Sequence, residues 1–560
     1  MRQDTAIQVT GGIGLIGAEE HPHAARRLRA ALSSLEWREG TSSDLDAGQI
    51  PTIELRTVSS LAEGAFSIRV SKGPNAPRVV VEGGPFSGVI YGVEELTQRR
   101  TRREGATVAI DAAKVERAPG LTYRTFWTWD HSTNWAMDQI GVQEIGVFNP
   151  YSKPPEGFLA DYQRVVDFCS VNRIAAVVVY GFLRDSHGGI EAAKELCHYA
   201  RQRGVRILPG IAIGAYGGVY WEGKHRYNLA TWLKQNPELT AQFERDVGFH
   251  LDDLAFPLSF PNSDYTQMAC PSRPENVAWM TEAVEWLVST FDIGGINIES
   301  GDYGVCGCPL CQARRTSRED PRRRQAMSES WSHSDMADNF PALLKASRAR
   351  PDLWIYCELQ WDNLLDTEAF APLSRLPHGG IYQHTVNRSY WYSLRHKLTP
   401  RHIAQLPTTV NVLRCQFACQ WSGDRRTERY SFNGRVLAEM AAGAAAAGMQ
   451  GLTMWGEPSP FHVGAELSYL AFARFSYDPE LTWEVFESQE LAPRLGGAEE
   501  ASRYLTIMEE LDQNPVLAPG RLARFWAEAR EASYGQSDEQ VVRRWIYLED
   551  RIARRRYMGR

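Results

Sequence analysis

The sequence predicts an α/β protein with three parts: a small N-terminal α/β domain over residues 1–115, a (β/α)8 barrel over 116–465 and a C-terminal helical region over 466–560. Two observations support this prediction. The chain has 560 residues, more than one hydrophobic core usually organises, and this leaves room for a barrel of about 250 residues. Its middle part alternates eight short apolar stretches with amphipathic helical patterns, which is the order of elements in a parallel barrel.

The first 115 residues alternate helical and strand-like patterns, which indicates a small α/β domain. Apolar residues spaced three and four apart predict helices at 24–37 and 88–100. Runs rich in β-branched residues predict strands at 52–58, 65–71 and 77–83. The segment GGIGLIG precedes rather than follows a strong strand, so it is a weak signal for a dinucleotide-binding turn.

Eight stretches of strand length follow in the middle of the chain. They lie at 121–129, 173–181, 205–214, 294–300, 352–359, 379–385, 409–418 and 451–458. Amphipathic helical patterns lie between them, for example at 160–172, 190–204 and 274–291. After residue 461 the patterns are helical to the end of the chain, so we expect helices that pack against the barrel.

Composition and charge argue against several classes of partner. The net charge of −7 argues against nucleic acid, because phosphate binding needs clustered Lys and Arg. No segment approaches the ~20 apolar residues of a membrane span, and the N-terminus lacks a signal-peptide pattern. We therefore expect a cytoplasmic protein without a membrane partner, whose nine cysteines are reduced thiols or metal ligands rather than a disulfide framework. The sequence leaves a homo-oligomer open.

In a parallel barrel, functional side chains lie at the carboxyl ends of the strands, so the strand map gives the candidates. The predicted substrate contacts are Arg124, Trp127, Trp129, Asp130, His131, Tyr180, His187, Trp361, Gln383, His384, Gln416, Trp421, Trp455 and Glu457. Glutamates at separate strand ends, beside many of the seventeen tryptophans, indicate glycoside chemistry and a carbohydrate substrate. Cleavage of a glycosidic bond needs one carboxylic acid and usually a second carboxylate as base or nucleophile.

Glu299, at the end of the run GGINI, is the predicted general acid, with Asp302 as a neighbouring charge that would keep it protonated. The alternative is that Glu299 only caps a loop. Glu358 is the predicted base or nucleophile, although it could equally accept a substrate hydroxyl or pair with a barrel arginine. Arg124 offers a fork of donors for vicinal hydroxyls or a carboxylate, or else forms a structural ion pair.

Three cysteines, Cys306, Cys308 and Cys311, follow Glu299 within a short distance. With Cys270, from the connection after the third barrel strand, they could complete a tetrahedral site, so the sequence predicts a structural zinc and no organic cofactor. The alternatives are reduced thiols without metal and a catalytic or redox role. The other cysteines lie in apolar segments and are expected in the core.

Three segments resemble a superfamily of barrel glycosidases that includes β-N-acetylhexosaminidases, α-glucuronidases and related endo-β-N-acetylglucosaminidases. They are GPFSGVIYGVEELTQ at 84–98, LTYRTFWTWD at 121–130 and INIESGDYGVCGCPLC at 296–311. The resemblance implies a glycosidase with a sugar-binding Arg124 and a general acid at Glu299. The chain departs from the adjacent Asp-Glu pair of acetamido-assisted members, because Ser300 and Gly301 separate Glu299 from Asp302. The seventh strand, in VLRCQFACQW, carries no carboxylate that could serve as a nucleophile.

The sequence therefore favours a glycosidase, exo-acting on a small oligosaccharide or glycoside such as a hexosaminide or uronide. One alternative is a glycoside or polysaccharide lyase that uses Tyr180, His187, His384 or Tyr392 with an arginine. Another is a barrel that binds carbohydrate without turning it over.

Overall fold

A computed structural model of the chain describes most of its residues. These are 6–41, 45, 50–72, 76–111, 113–129, 155–212, 214–242, 268–299, 305–315, 332–359, 364, 368, 370–376, 378–418, 432–456, 463–514 and 516–558. Among them, no helix combines the length and apolar character needed to cross a bilayer.

Two sheets and two helices form the described part of the N-terminal region. Its strands are β1 (Ala6–Thr10), β2 (Gly12–Ile16), β3 (Glu36–Glu39), β4 (Thr52–Thr57), β5 (Phe66–Lys72), β6 (Pro77–Gly83), β7 (Thr101–Glu104), β8 (Thr107–Asp111) and β9 (Val115–Arg117), and its helices are α1 (Pro22–Ala31) and α2 (Gly88–Arg99). One sheet has the order β3-β2-β4-β6-β5-β9 and the other β1-β8-β7. The glycine-rich segment forms the strand β2, and α1 ends earlier than predicted because the segment from Glu36 pairs with β2.

The middle of the chain closes into a parallel barrel, as the sequence predicts. Its eight strands are β10 (Tyr123–Trp129), β11 (Ala176–Tyr180), β12 (Arg206–Ile211), β13 (Gly295–Ile298), β14 (Trp354–Leu359), β15 (Ile381–Val386), β16 (Val410–Ala418) and β17 (Gly451–Gly456). Each pairs with the next along the chain, and β17 closes the ring on β10. All eight predicted strands are present.

Helices surround the barrel and continue to the C-terminus. They are α3 (Pro155–Asn172), α4 (Gly189–Gln202), α5 (Leu229–Gln235), α6 (Pro274–Thr290), α7 (Pro309–Arg314), α8 (His333–Ser347), α9 (Arg388–Leu394), α10 (Pro400–Ile403), α11 (Gly434–Ala446), α12 (Glu466–Tyr477), α13 (Trp483–Phe486), α14 (Ala492–Leu495), α15 (Ala498–Gln513), α16 (Pro519–Tyr534) and α17 (Glu539–Met558). Helix α12 packs on the outside of β10, where the ring centroids of Phe126 and Tyr469 are 4.8 Å apart. The helical C-terminal region predicted from the sequence is therefore confirmed.

Alternation along the strands decides which side chains reach the barrel interior. Successive side chains point to opposite faces, so the outward residues of β13, Ile296 and Ile298, join the core beneath the helices. Asn297, between them, points inward. Lower in the barrel, the hydroxyls of Thr125 and Tyr356 meet at 3.0 Å across the interior. The barrel is thus filled by side chains, and polar residues at inward positions meet one another near its carboxyl-terminal end.

Candidate functional site

Glu358 lies at the centre of a polar network inside the barrel. Its side chain is fully buried. Its Oε2 accepts hydrogen bonds from Trp127 Nε1 at 2.8 Å, Asn297 Nδ2 at 3.1 Å and Tyr180 Oη at 3.2 Å. Its Oε1 lies 2.5 Å from Nη1 of Arg414. Four strands, β10, β11, β13 and β16, therefore each contribute one donor to a single carboxylate.

The guanidinium of Arg414 balances this charge. It is as deeply buried as Glu358, and it donates from Nε at 3.1 Å and from Nη2 at 2.8 Å to the hydroxyl of Thr385 on β15. Its Cζ lies 4.7 Å from the ring centroid of Trp455 and 5.4 Å from that of Trp127. A buried carboxylate paired with an arginine in this way is held as an anion.

The hydroxyl of Tyr180 extends the network beyond Glu358. Asn297 Nδ2 lies 2.7 Å from Tyr180 Oη, and Asn297 Oδ1 accepts a hydrogen bond from Gln383. Because Oδ1 is occupied by that donor, Asn297 faces the tyrosine with its amide N–H. The neighbouring position on β12 is Gly210, where a Cβ atom would lie 2.3 Å from the Tyr180 ring. A residue without a side chain is thus required beside Tyr180.

Glu299 directly follows β13, two positions after Asn297 and on the same inner face. It is 2% exposed, its backbone N–H donates to the Ile211 carbonyl at 2.9 Å, and its carboxyl group is close enough to Tyr180 to influence that side chain electrostatically. Burial raises the pKa of Tyr180 well above its ordinary value. The phenol therefore keeps its proton.

Tyr180 thus lies beside both of the glutamates predicted from the sequence. Its hydroxyl donates to Glu358, and its pKa responds to the carboxyl group of Glu299.

Two of the predicted aromatic residues form one wall of this network. The ring centroids of Trp127 and Trp455 are 4.1 Å apart, and that of Tyr180 lies 4.5 Å from Trp127. Trp127 is fully buried and its indole N–H is used by Glu358, so it supports the network rather than offering an open stacking face. The Nε1 of Trp455 is buried and has no hydrogen-bond partner within the described part of the chain, so it is a donor still available at the end of β17.

The structure separates Arg124 from this group. It lies near the start of β10 and donates to three main-chain carbonyls, those of Leu121 at 2.7 Å, Thr122 at 3.0 Å and Arg173 at 3.0 Å. Its guanidinium lies 5.3 Å from the ring centroid of Tyr477. These partners are at the amino-terminal end of the barrel, opposite Glu299, which corrects the prediction that Arg124 contacts the sugar.

Two of the three predicted histidines, His384 and His187, have contacts away from Glu358. His384 follows the inward-facing Gln383 and therefore points outward, with Nε2 2.9 Å from Asn411 Oδ1. His187 is buried and stacks on Phe158 of α3 with ring centroids 4.5 Å apart. Alternation along β15 explains the direction of His384, and packing against a surrounding helix explains the position of His187.

Several predicted residues cannot be compared with the structure. Asp130, His131, Asp302, Trp361, Trp421 and Glu457, together with the side chains of Trp129 and Gln416, lie outside what it describes. Their predicted roles stay predictions.

The sequence analysis missed three members of the network, Asn297, Thr385 and Arg414. Each is an inward-facing polar residue within a strand rather than at its end. The two-residue period contained the signal: Asn297 precedes Glu299 by two positions, and Arg414 precedes Gln416 by two. Polar residues on the inner face of an otherwise apolar strand need partners, and in a barrel those partners lie across the interior.

The four predicted metal ligands meet beside the barrel. Cys270, Cys306, Cys308 and Cys311 are buried, and their sulfur atoms all lie within 4.8 Å of one another. Cys270 Sγ lies 3.7 Å from Cys308 Sγ, 3.6 Å from Cys311 Sγ and 3.8 Å from Cys306 Sγ. The thiols are free, because these distances are far longer than the ~2.05 Å of a disulfide bond. Four thiols in this arrangement could hold one tetrahedral metal ion.

Comparison with known proteins gives a likeness of fold alone. No family model and no curated protein matches the sequence. A family 138 glycoside hydrolase that targets the pectin rhamnogalacturonan II superposes with a TM-score of 0.54 at 12% identity, and covers 89% of this chain and 55% of its own. The chain thus spans about half the length of that enzyme.

Two further solved structures match over most of both chains. A family 20 β-N-acetylglucosaminidase has a TM-score of 0.51 at 12% identity, covering 86% of this chain and 93% of its own. A β-N-acetylhexosaminidase from Bacteroides fragilis has a TM-score of 0.50 at 14% identity, covering 89% and 96%. At the level of fold, the resemblance to barrel glycosidases predicted from the motifs is confirmed.

Proposed function

We propose that this protein is a glycoside hydrolase that releases a hexosaminide or uronide unit from a small oligosaccharide or glycoside, with Glu299 as the general acid. The observation that carries the proposal is the burial of Glu299 directly after β13, beside Tyr180, whose hydroxyl lies 3.2 Å from Glu358 Oε2. The likeness of fold to family 20 and family 138 glycoside hydrolases supports the reaction class.

The directions of the hydrogen bonds around Tyr180 favour a proton on Glu299. Asn297 donates to Tyr180 Oη, and the tyrosine has a single proton to donate in turn. Glu358, held as an anion by Arg414, is a strong acceptor for it. With the Tyr180 proton directed at Glu358, Tyr180 has no proton left to stabilise an anionic Glu299, and burial also disfavours the charged form of that carboxyl group. A protonated carboxyl group at the end of a barrel strand is suited to protonate a leaving glycosidic oxygen.

In this proposal Glu358 has a different role from the base or nucleophile predicted from the sequence. Both of its oxygens are engaged, one by three donors and the other by Arg414, so little lone-pair density is available for attack. Its contacts fit the alternative of an ion pair with a barrel arginine. We therefore assign it as a positioning residue that orients Tyr180 and Asn297. The base or nucleophile is then sought among the other predicted carboxylates, Asp130, Asp302 and Glu457.

The lyase alternative is less well supported. A lyase needs a side chain that can remove a proton, and the raised pKa of Tyr180 makes its phenolate a poorly accessible base. His187 stacks on Phe158, His384 lies 2.9 Å from Asn411 Oδ1, and Tyr392 is 47% exposed on helix α9. The buried contacts of Glu299, Tyr180 and Glu358 are therefore explained better by a hydrolase than by a lyase.

The proposal is tested by activity on a panel of aryl N-acetylhexosaminides and aryl uronides, comparing wild type with Glu299→Gln. On substrates with a poor leaving group, kcat/KM of Glu299→Gln is expected to fall by about 100-fold or more, because a positioned general acid contributes that much. On nitrophenyl substrates, whose leaving group needs little protonation, the loss is expected to be much smaller. Tyr180→Phe is expected to show the same dependence on the leaving group.

Glu94→Gln is the matched control, because Glu94 is 2% exposed and paired with Arg27 in the N-terminal domain, far from the network. It is expected to keep wild-type activity. Retention of more than about a tenth of the activity by Glu299→Gln on poor leaving groups would contradict the assignment of the acid. A product with ultraviolet absorbance and no solvent oxygen would indicate a lyase, and binding without turnover by the wild type would indicate a carbohydrate-binding barrel.

A further inference from the structure

We propose that Cys270, Cys306, Cys308 and Cys311 bind one zinc ion that ties together three chain segments beside the barrel. This inference does not depend on the proposed activity. It depends on the geometry of the four sulfur atoms, on their surroundings and on the segments that carry them.

The sulfur atoms have the spacing of a tetrahedron around a single ion. A Zn–S distance of about 2.3 Å gives tetrahedral edges of about 3.8 Å between sulfurs. The three edges that meet at Cys270 measure 3.7, 3.6 and 3.8 Å. The remaining edges are within 4.8 Å, so the four thiols surround a space for one ion rather than for a larger cluster.

The site has the character of a structural one. All four ligands come from the protein and all are buried, so a tetrahedral ion would keep no open position for water or substrate. Soft thiolate ligands select zinc among other metals, and a set of four cysteines is one of the usual closed, structural zinc sites. We therefore assign the ion to folding and not to the chemistry near Glu299.

The groups around the thiols fit a negatively charged metal complex. A zinc ion with four thiolates has a net charge of −2, which hydrogen-bond donors and cations can offset. The backbone N–H of Gln242 donates to Cys306 Sγ at 3.3 Å, and Ser272 Oγ lies 2.9 Å from Cys311 Sγ. Arg314 donates to Ser272 Oγ at 2.9 Å, and Arg315 donates to the backbone carbonyl of Cys306.

These arginines also connect the cluster to helix α8. Both pair with Asp335, whose carboxylate is fully buried and closes the capping box at the start of that helix. Asn339, one turn further on, donates to the Pro271 carbonyl at 3.2 Å. The cluster is therefore joined by charged and polar contacts to the helix that leads into β14, the strand of Glu358.

The ion would link connections that follow two neighbouring strands. Cys270 belongs to the connection after β12, and the other three ligands belong to the connection after β13. A third segment lies between them: the Ala241 N–H donates to the Met268 carbonyl at 2.6 Å, and the Gly307 N–H donates to the Gln242 carbonyl at 2.6 Å. Only six residues separate Cys306 from Glu299, so the zinc would anchor the segment that starts at the general acid.

The test is elemental analysis of the full-length, untagged protein purified without chelators. We expect about one zinc per chain, released in step with the modification of four thiols by a mercurial reagent. Cys308→Ser is expected to lose the zinc and to lower the thermal unfolding midpoint. Cys169→Ser, which changes a buried cysteine of α3 outside the cluster, is expected to keep it.

Several results would overturn the proposal. These are a folded wild-type protein that contains no zinc and takes up none from solution, full zinc content in folded Cys308→Ser, or iron at the site, recognised by its visible absorption. If Cys308→Ser does not fold, the wild type decides: chelation that removes zinc must lower its unfolding midpoint, and added zinc must restore it. An unchanged midpoint on complete removal would contradict the structural role.

Discussion

The ion pair between Arg414 and Glu358 allows a quantitative test of the buried network. Both side chains are fully buried, and Nη1 lies 2.5 Å from Oε1. Arg414→Met keeps much of the side-chain volume and removes the charge, which leaves Glu358 without its counter-ion among three neutral donors. Breaking a buried pair by removing one partner costs about 3–5 kcal/mol, so we expect Arg414→Met to lower the free energy of unfolding by that amount.

Urea unfolding followed by tryptophan fluorescence measures this loss, and Trp127 and Trp455 lie beside the guanidinium. The double variant Glu358→Gln with Arg414→Met should be more stable than the sum of the single losses predicts, because no charge remains unpaired. As a control, Arg395→Met breaks an exposed pair with Glu439 and should cost at most about 1 kcal/mol. A cost below about 1 kcal/mol for Arg414→Met, or strict additivity in the double variant, would refute the description of a buried, charge-paired network.

Two further perturbations test the packing and the charges around other residues. Gly210→Ala places a Cβ atom against the Tyr180 ring and should lower the free energy of unfolding in urea by about 1–3 kcal/mol. Gly520→Ala, whose added Cβ atom meets no atom within 4 Å, should be neutral or slightly stabilising. Equal effects of the two substitutions would contradict the tight contact at Gly210. Burial, with the positive charges of Arg203, Arg26 and Arg27, lowers the pKa of His23 from 6.5 to about 4. Because the unfolded chain binds a proton more readily, the free energy of unfolding should be highest above pH 6.5 and fall by up to about 3 kcal/mol towards pH 4. His23→Gln should reduce this dependence of the free energy of unfolding on pH. An unchanged dependence would mean that His23 is solvated.

The fold could be predicted because its elements are local. Each barrel strand is a short run of β-branched residues between helical patterns, and eight such units have few ways to arrange themselves other than as a closed barrel. The N-terminal domain was predicted less well at its edges. The strands β1, β3, β7, β8 and β9 are short and partly polar, so their sequence pattern is weak. Whether these segments form strands depends on their pairing with neighbouring strands.

The candidate site was predicted in part. Glu299, Glu358 and Tyr180 were predicted from their places at strand ends, and the structure brings them together. Arg124 was not, because its place near the start of β10 directs it to carbonyls at the other end of the barrel. A motif match identifies a residue type at a position in the sequence. The end of the barrel at which that residue lies depends on its position along the strand.

The sequence by itself determined the barrel, the helices around it and the identity of four clustered cysteines, because these depend on local periodicity and on spacing along the chain. Only the tertiary structure decided which partner each buried polar group has. Glu358 and Arg414 are 56 positions apart in the chain, and their neighbours Trp127 and Asn297 come from two further strands. A buried charge is stable only with complete pairing, and the closed barrel supplies that pairing across its interior, where sequence distance carries no information.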